Sequence, residues 1–288
     1  MKRDHKKISP TAFNHIIWRT FFGLPFADEF AKAAEKFGSG GHIFDKKLLR
    51  ITAPVIEGRY RGGEGAMEEF IRQNPGCTVL ELAAGFGLHG IHLSKKYPKI
   101  TYIETDLPAM SEMKEKIVGK LGLKLPGLFF RSANALDQAA LKKALSAAKK
   151  KTELVIFCEG LLSYFDKKEK EKIAGIVKNL LEEHRGVWIA TDPALNAASR
   201  KELNAALPEW KKIMKKAEKL AGQKYADHGF LSEKEADSFF KACGFRVRKR
   251  AWPLKLHSLS TGCIGSKAAG KIKNFLKRYG KAWILSLR

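Results

Sequence analysis

Glu81-Leu82-Ala83-Ala84-Gly85-Phe86-Gly87 decides the fold. The stretch continues Thr78-Val79-Leu80, so an apolar strand over residues 78–82 runs into a turn of small residues. Small side chains at 83, 85 and 87 let the backbone bend sharply and approach a ligand without Cβ collisions. A helical pattern follows, near residues 91–97. The same rhythm then repeats: strands at 100–104, 128–131, 153–157 and 186–190 alternate with helical patterns at 109–121, 137–149 and 168–183. Short apolar runs alternating with amphipathic helices imply right-handed crossovers and a mostly parallel sheet covered on both faces. Residues 245–252 and 282–287 add a sixth and a seventh strand.

Upstream, residues 11–37 show helical spacing, with Phe13, Ile16, Ile17 and Phe21 on one face. Ser9-Pro10-Thr11 marks the start, and a second helix over 26–37 is stopped by Gly38 to Gly41. Another helix is expected over 64–73, ended by Asn74-Pro75-Gly76. These observations divide the chain into an N-terminal helical segment, 1–75, and a main domain, 76–288. Within the latter, residues 195–229 break the alternation. Leu203, Leu207, Trp210 and Met214 recur at helical spacing, and the segment reads as a helical cap over the carboxyl edge of the sheet. Ser232 and Glu235 form a capping box for the next helix, which Gly244 ends.

Ligands of open parallel sheets bind at the carboxyl ends of the strands. Asp106 stands at the end of the second strand, where a carboxylate can accept both hydroxyls of a ribose. Asn134 follows the third strand and Glu159 the fourth. Topology gathers all of these around one crevice with the Glu81–Gly87 turn. The spacing is not the G-x-G-x-x-G of nicotinamide-binding proteins. It resembles instead the E/D-x-G-x-G-x-G loop of class I methyltransferases, with Ala83 in place of the first glycine, which requires φ to stay negative there.

Further residues narrow the resemblance. Tyr102-Ile-Glu-Thr-Asp106-Leu-Pro108, with Lys114 following, is similar to the Y-x-E-x-D-x-P…K run of the leucine carboxyl methyltransferase family, which includes polyketide O-methyltransferases. Glu159-Gly160-Leu-Leu-Ser-Tyr164-Phe165 resembles its E-G-v-l-x-Y-L motif, and Arg59 with Glu64 its R-t-x-x-x-D signature. Where that family continues its loop as D-T-R, this chain has Gly87-Leu88-His89; His89 and His92 are expected to be structural. The resemblance implies an α/β, Rossmann-like class I methyltransferase fold with a seven-stranded, mostly parallel sheet, N-terminal helices and a helical cap insertion. It implies S-adenosyl-L-methionine as cofactor and S-adenosyl-L-homocysteine as product. Glu81, Ala83 and Gly85 would line the cofactor and Arg59 would pair with its methionine carboxylate. Asp106 with Leu107 would hold the ribose, Asn134, Ala135 and Leu136 the adenine, and Glu159 the methionine end. Tyr164 would border the methyl acceptor.

Methyl transfer from a sulfonium is an in-line displacement, in which the protein supplies alignment and excludes water. A carboxylate acceptor is already a nucleophile at pH 7, whereas a hydroxyl needs a base. His228 and Asp192 are the candidate bases. The expected reaction is O-methylation of a carboxylate or hydroxyl on a small molecule or protein. An RNA methyltransferase and an inactive cofactor-binding protein are the alternatives.

Composition sets the outer bounds. With 288 residues, 44% hydrophobic and 29% charged, a full core is available. No apolar run reaches the ~18 residues of a membrane span, and residues 1–10 lack the apolar stretch of a secretory signal. Cys77, Cys158, Cys243 and Cys263 form no C-x-x-C pair, which argues against a metal site or disulfide framework and for a cytoplasmic protein. The net charge of +24 favours anionic partners. The lysines are scattered along helices and form no aromatic-interleaved patch, so nucleic acid is not the favoured partner.

Overall fold

A computed structural model describes residues 10–37, 45–148, 152–221, 228–252, 259–261 and 264–288. Three helices come first: α1 (Pro10–Thr20), α2 (Ala27–Phe37) and α3 (Lys46–Gln73). The alternating region follows as β1 (Thr78–Leu82), α4 (His89–Lys96), β2 (Thr101–Asp106), α5 (Pro108–Lys120), β3 (Leu128–Ser132), α6 (Gln138–Ala144), β4 (Leu154–Cys158), α7 (Lys167–Glu183) and β5 (Gly186–Ala190). Then come α8 (Ala197–Ala206), α9 (Pro208–Ala221), α10 (Glu233–Ala242), β6 (Phe245–Ala251), α11 (Ser266–Tyr279) and β7 (Lys281–Leu287).

The seven strands lie in the order β3-β2-β1-β4-β5-β7-β6, and β7 runs antiparallel to both of its neighbours. The order reverses between β1 and β4, which places the switch-point crevice at their carboxyl ends. β1 and β4 are buried at every position, as expected of central parallel strands covered on both sides. One face packs against α1 to α5, α8, α9 and α11, and the other against α6, α7 and α10.

Strand positions agree with the sequence expectation to within two residues. The helices differ more. Residues 64–73 are only the last part of α3, a helix of 28 residues that runs through Pro54 and several glycines. Those glycines mark close packing. A Cβ at Gly62 would lie 2.1 Å from Trp252 Cγ, and one at Gly63 would lie 2.8 Å from Phe157 Cζ. The helix expected over 137–149 ends at Ala144 and continues as a tighter turn over Leu145–Ala147. The Gly38–Gly41 stop, Ser9, Cys263 and residues 222–227 of the insertion lie outside the described residues. Among the described residues, Cys77, Cys158 and Cys243 are free and no cluster of metal-ligating side chains is present. Among the described residues, no helix is long and apolar enough to cross a membrane.

Candidate active site

The glycine-rich turn leaves β1 in a left-handed conformation. Ala83 has φ +53° and Gly85 φ +50°. This corrects the expectation of a negative φ at Ala83, whose Cβ is held where glycine would be unstrained. Asp106 explains why the turn keeps this shape. Its Oδ2 accepts a hydrogen bond from the Gly85 amide at 2.7 Å and its Oδ1 one from the Leu107 amide at 2.7 Å. Burial raises its pKa, and the two amides and Lys114 oppose that shift. The space beside Gly85 is open: among the described residues, no atom beyond its chain neighbours lies within 4 Å of a Cβ placed there.

Beneath the turn, the remaining members of the Tyr102–Lys114 run form a scaffold. Tyr102 donates to Glu81 Oε2 at 2.7 Å, and the buried Glu104 and Lys114 form an ion pair. Glu81 is therefore a buried support of the turn, 3% exposed. After β3, Asn134 Oδ1 accepts from the Leu136 amide at 2.9 Å, a local turn that buries Ala135 and leaves Leu136 half-buried.

A chain of buried charges crosses from α3 to the end of β4. Arg59 Nε donates to Glu159 Oε1 at 2.9 Å. Glu159 Oε2 lies 3.1 Å from His89 Nε2, and His89 Nδ1 lies 3.1 Å from Glu64 Oε2. Burial alone would push the His89 imidazole down; the hydrogen bonds to Glu159 and Glu64 reverse this and raise its pKa to about 9. Burial would raise both carboxylates, but Arg59 and His89 hold Glu159 well below the usual carboxylate range, and His89 and His92 do the same for Glu64. Tyr60 stacks on His89 with ring centroids 3.9 Å apart, and Arg19 covers the Tyr60 ring at 5.1 Å. Arg19 is 5% exposed, and its Nε and Nη1 have no hydrogen-bond partner among the described residues. A buried guanidinium with unused donors is a fitted receptor for a carboxylate.

Beside this chain lies a cavity of about 100 Å³. Its walls are Asn14, His15 and Trp18 of α1, Ile56 and Arg59 of α3, Arg200 of α8, and Trp210, Ile213, Met214 and Ala217 of α9. Gly160, Ser163, Tyr164, Asp192 and Leu195 close it from the sheet. Asp192 accepts from the Gly160 amide at 3.1 Å and the Leu162 amide at 2.9 Å. Burial pushes its pKa up to about 6, against Arg59 and the two amides. Burial, with Arg59 and Arg19, lowers His15 to about 3, so its ring is neutral. His228 is not among the cavity walls; its carbonyl accepts from Lys170.

The structure thus brings Arg59, Gly85, Asp106, Leu107, Glu159 and Tyr164 to the carboxyl edge. Sequence reading missed Arg19 and the bridging role of His89. The only signal for His89 was its position, where the family loop ends in arginine.

Sheet order, turn and crevice together define a class I methyltransferase fold. The model of the leucine carboxyl methyltransferase family matches residues 23–177, just over half of the chain, and the protein belongs to that family, whose methyl donor is S-adenosylmethionine. Among solved structures, a Nostoc punctiforme protein described as an O-methyltransferase is 14% identical, over 96% of this chain and 72% of its own, with a TM-score of 0.50. A chain of the complex between the Haloferax volcanii Trm112 methyltransferase activator and a methyltransferase is 12% identical, over 87% of this chain and 99% of its own, with a TM-score of 0.52. An O-methyltransferase family protein of Burkholderia thailandensis is 17% identical, over 84% of this chain and 59% of its own, with a TM-score of 0.46. The first two establish shared fold. No curated protein matches the sequence.

Proposed function

We propose that the protein transfers the methyl group of S-adenosylmethionine to an oxygen, carboxylate or hydroxyl, of a small acceptor. The observation that carries this reading is the cavity of about 100 Å³, apolar on the α9 side, that shares Arg59, Gly160 and Asp192 with the crevice. The crevice fits the cofactor. Asp106 has lone pairs left over from Gly85 and Leu107 for the ribose hydroxyls, and the open side of Gly85 admits the adenosyl group. Asn134, Ala135 and Leu136 border the adenine. Arg19 and Arg59 receive the methionine carboxylate, and Glu159 orients Arg59.

Bound there, S-adenosylmethionine supplies an electrophilic methyl on a sulfonium. The chain's own residues do the rest. Trp18, Ile213 and Met214 exclude water, which strengthens every charge contact in the cavity. Arg59 and Arg200 favour an anionic acceptor. A carboxylate needs no base. For a hydroxyl, Asp192 is the group on the cavity wall whose raised pKa suits proton removal near neutrality. Tyr164 borders the acceptor, and α8 and α9 act as the cap.

Labelled S-adenosylmethionine incubated with separate pools of carboxylic acids, phenols and RNA tests the assignment. Label in the acid or phenol pool is expected. Label in the RNA pool alone overturns the acceptor class.

A further inference from the structure

Arg59 lines the cavity, and its partner Glu159 is held from behind by a group whose charge is not permanent. His89 is fully buried, with each ring nitrogen 3.1 Å from a carboxylate oxygen, Nδ1 from Glu64 and Nε2 from Glu159. A neutral imidazole has one N–H and one lone pair. It could satisfy one of these carboxylates and would turn its lone pair toward the other. Only the imidazolium donates to both.

We propose that His89, as an imidazolium bridging Glu64 and Glu159, is the positioning residue that keeps Glu159 turned toward Arg59 for cofactor binding, and that loss of its proton releases the pair. This rests on the proposed role of Arg59 and Glu159 at the methionine end of the cofactor.

The groups that face the ring come from every neighbouring element. From α3 these are Glu64 and Tyr60, the latter stacked at 3.9 Å. From β4 and its end they are Phe157, whose ring meets His89 edge-on at 5.2 Å, and Glu159. Glu81 of β1 adds negative charge from below, and Glu104 of β2, whose carboxyl burial pushes up to about 7 against the paired Lys114, adds its charge only above neutrality. His92, one turn along α4, lies 3.5 Å from the same Glu64 oxygen and shares a 3.2 Å hydrogen bond with Tyr60. Tyr60 stays neutral, because burial holds its pKa well above the usual phenol range. Glu64 and Glu159 stay ionised across the neutral range. Of the three groups in the bridge, His89 is the one that changes charge in the alkaline range, above the point at which Glu104 has already ionised.

The His89 pKa is raised from its ordinary 6.5 to about 9. The bridge therefore stays intact through neutrality and is lost as pH rises through about 9, while its contribution to folding is full below about pH 6.5 and falls away between the two values. His89→Arg keeps a permanent cation at the position, and His89→Gln keeps a polar side chain without charge.

The test is the dissociation constant of S-adenosylhomocysteine, by calorimetry, from pH 6 to 10 on the wild type, His89→Arg, His89→Gln and Arg59→Ala, with melting temperature alongside. The ligand's own amino group titrates identically throughout, so ratios between variants isolate the protein. The wild type is expected to lose affinity by up to about tenfold relative to His89→Arg between pH 7 and pH 10, the limit set by one group titrating near 9. His89→Gln is expected to be weak already at pH 7. His92→Gln should leave the alkaline loss in place. A constant wild-type to His89→Arg ratio overturns the proposal, and this readout stands even if His89→Gln does not fold. Arg59→Ala separates the two levels. If it binds as tightly as the wild type, the reading of the methionine end fails; if it weakens binding while the ratio stays constant, only the His89 proposal fails.

Discussion

Ala83 is an L-residue at φ +53°, where a Cβ costs roughly 1–2 kcal/mol. Glycine there would gain most of that and give back about 0.4–1 kcal/mol through the freer unfolded chain. Ala83→Gly should therefore raise stability by up to about 1 kcal/mol, seen as a melting temperature higher by a few degrees. An unchanged or lower melting temperature would show that the turn is not strained there. Asp106 was legible as a crevice carboxylate, but its second duty was not. It accepts from the Gly85 and Leu107 amides, so Asp106→Ala must act on stability as well as binding. Its loss should weaken cofactor affinity at least about tenfold, ~1.4 kcal/mol, and lower the melting temperature too. Asp106→Asn, with one oxygen left to accept, should fall between. A lower melting temperature with wild-type affinity would remove the ribose role and leave only the turn anchor. His89 and Arg19 escaped sequence reading for a shared reason. Their partners lie far along the chain, Glu159 being 70 residues from His89, and no local pattern encodes such a contact.

Elements were legible where burial is uniform and obscure where packing overrides propensity. β1 and β4 read as strands because both faces are covered and every position is apolar or satisfied. α3 did not read as one helix, because Pro54, Gly58, Gly62 and Gly63 are ordinary breakers. The structure shows what they do instead, since three of these glycines let other elements approach the helix backbone. Alanine substitutions make the point measurable. In an open helical site, Gly→Ala gains about 0.5–1 kcal/mol. Gly175 of α7 is exposed with nothing within 4 Å of its would-be Cβ, so Gly175→Ala should stabilise by that amount. Gly62 of α3 would drive a Cβ to 2.1 Å from Trp252 Cγ, and Gly62→Ala should destabilise by about 1–3 kcal/mol despite the same gain in propensity. Urea denaturation of both variants checks the contrast. If the two shift the midpoint in the same direction, helix propensity and not packing governs α3.

At the scale of the molecule, the +24 charge is unevenly distributed. Residues 238–288 contain 13 Lys and Arg and no Asp or Glu. Some of these cations are matched from elsewhere: Lys249 and Lys281 by Glu233, Arg278 by Glu202 and Arg250 by Glu69. Arg246 and Arg248 stand exposed on β6, one of the two outer strands of the sheet, and Lys267, Lys271 and Lys277 are exposed on α11. Charge on an outer strand discourages pairing with another chain, which gives the arginines a use without any ligand. The same surface must nevertheless attract polyanions, because contacts to phosphates release counterions. Fluorescence anisotropy with a labelled single-stranded RNA should show binding that weakens by about tenfold or more between 50 and 200 mM salt. Arg246→Gln combined with Arg248→Gln should weaken it further at low salt. Cofactor affinity, set by buried groups, should change far less over that range, because buried charges are poorly screened. The two salt dependences separate an electrostatic surface from an acceptor site. If RNA binding instead tightens severalfold when S-adenosylhomocysteine is present, nucleic acid reaches the crevice, and the acceptor is to be sought among RNAs instead of small acids and phenols.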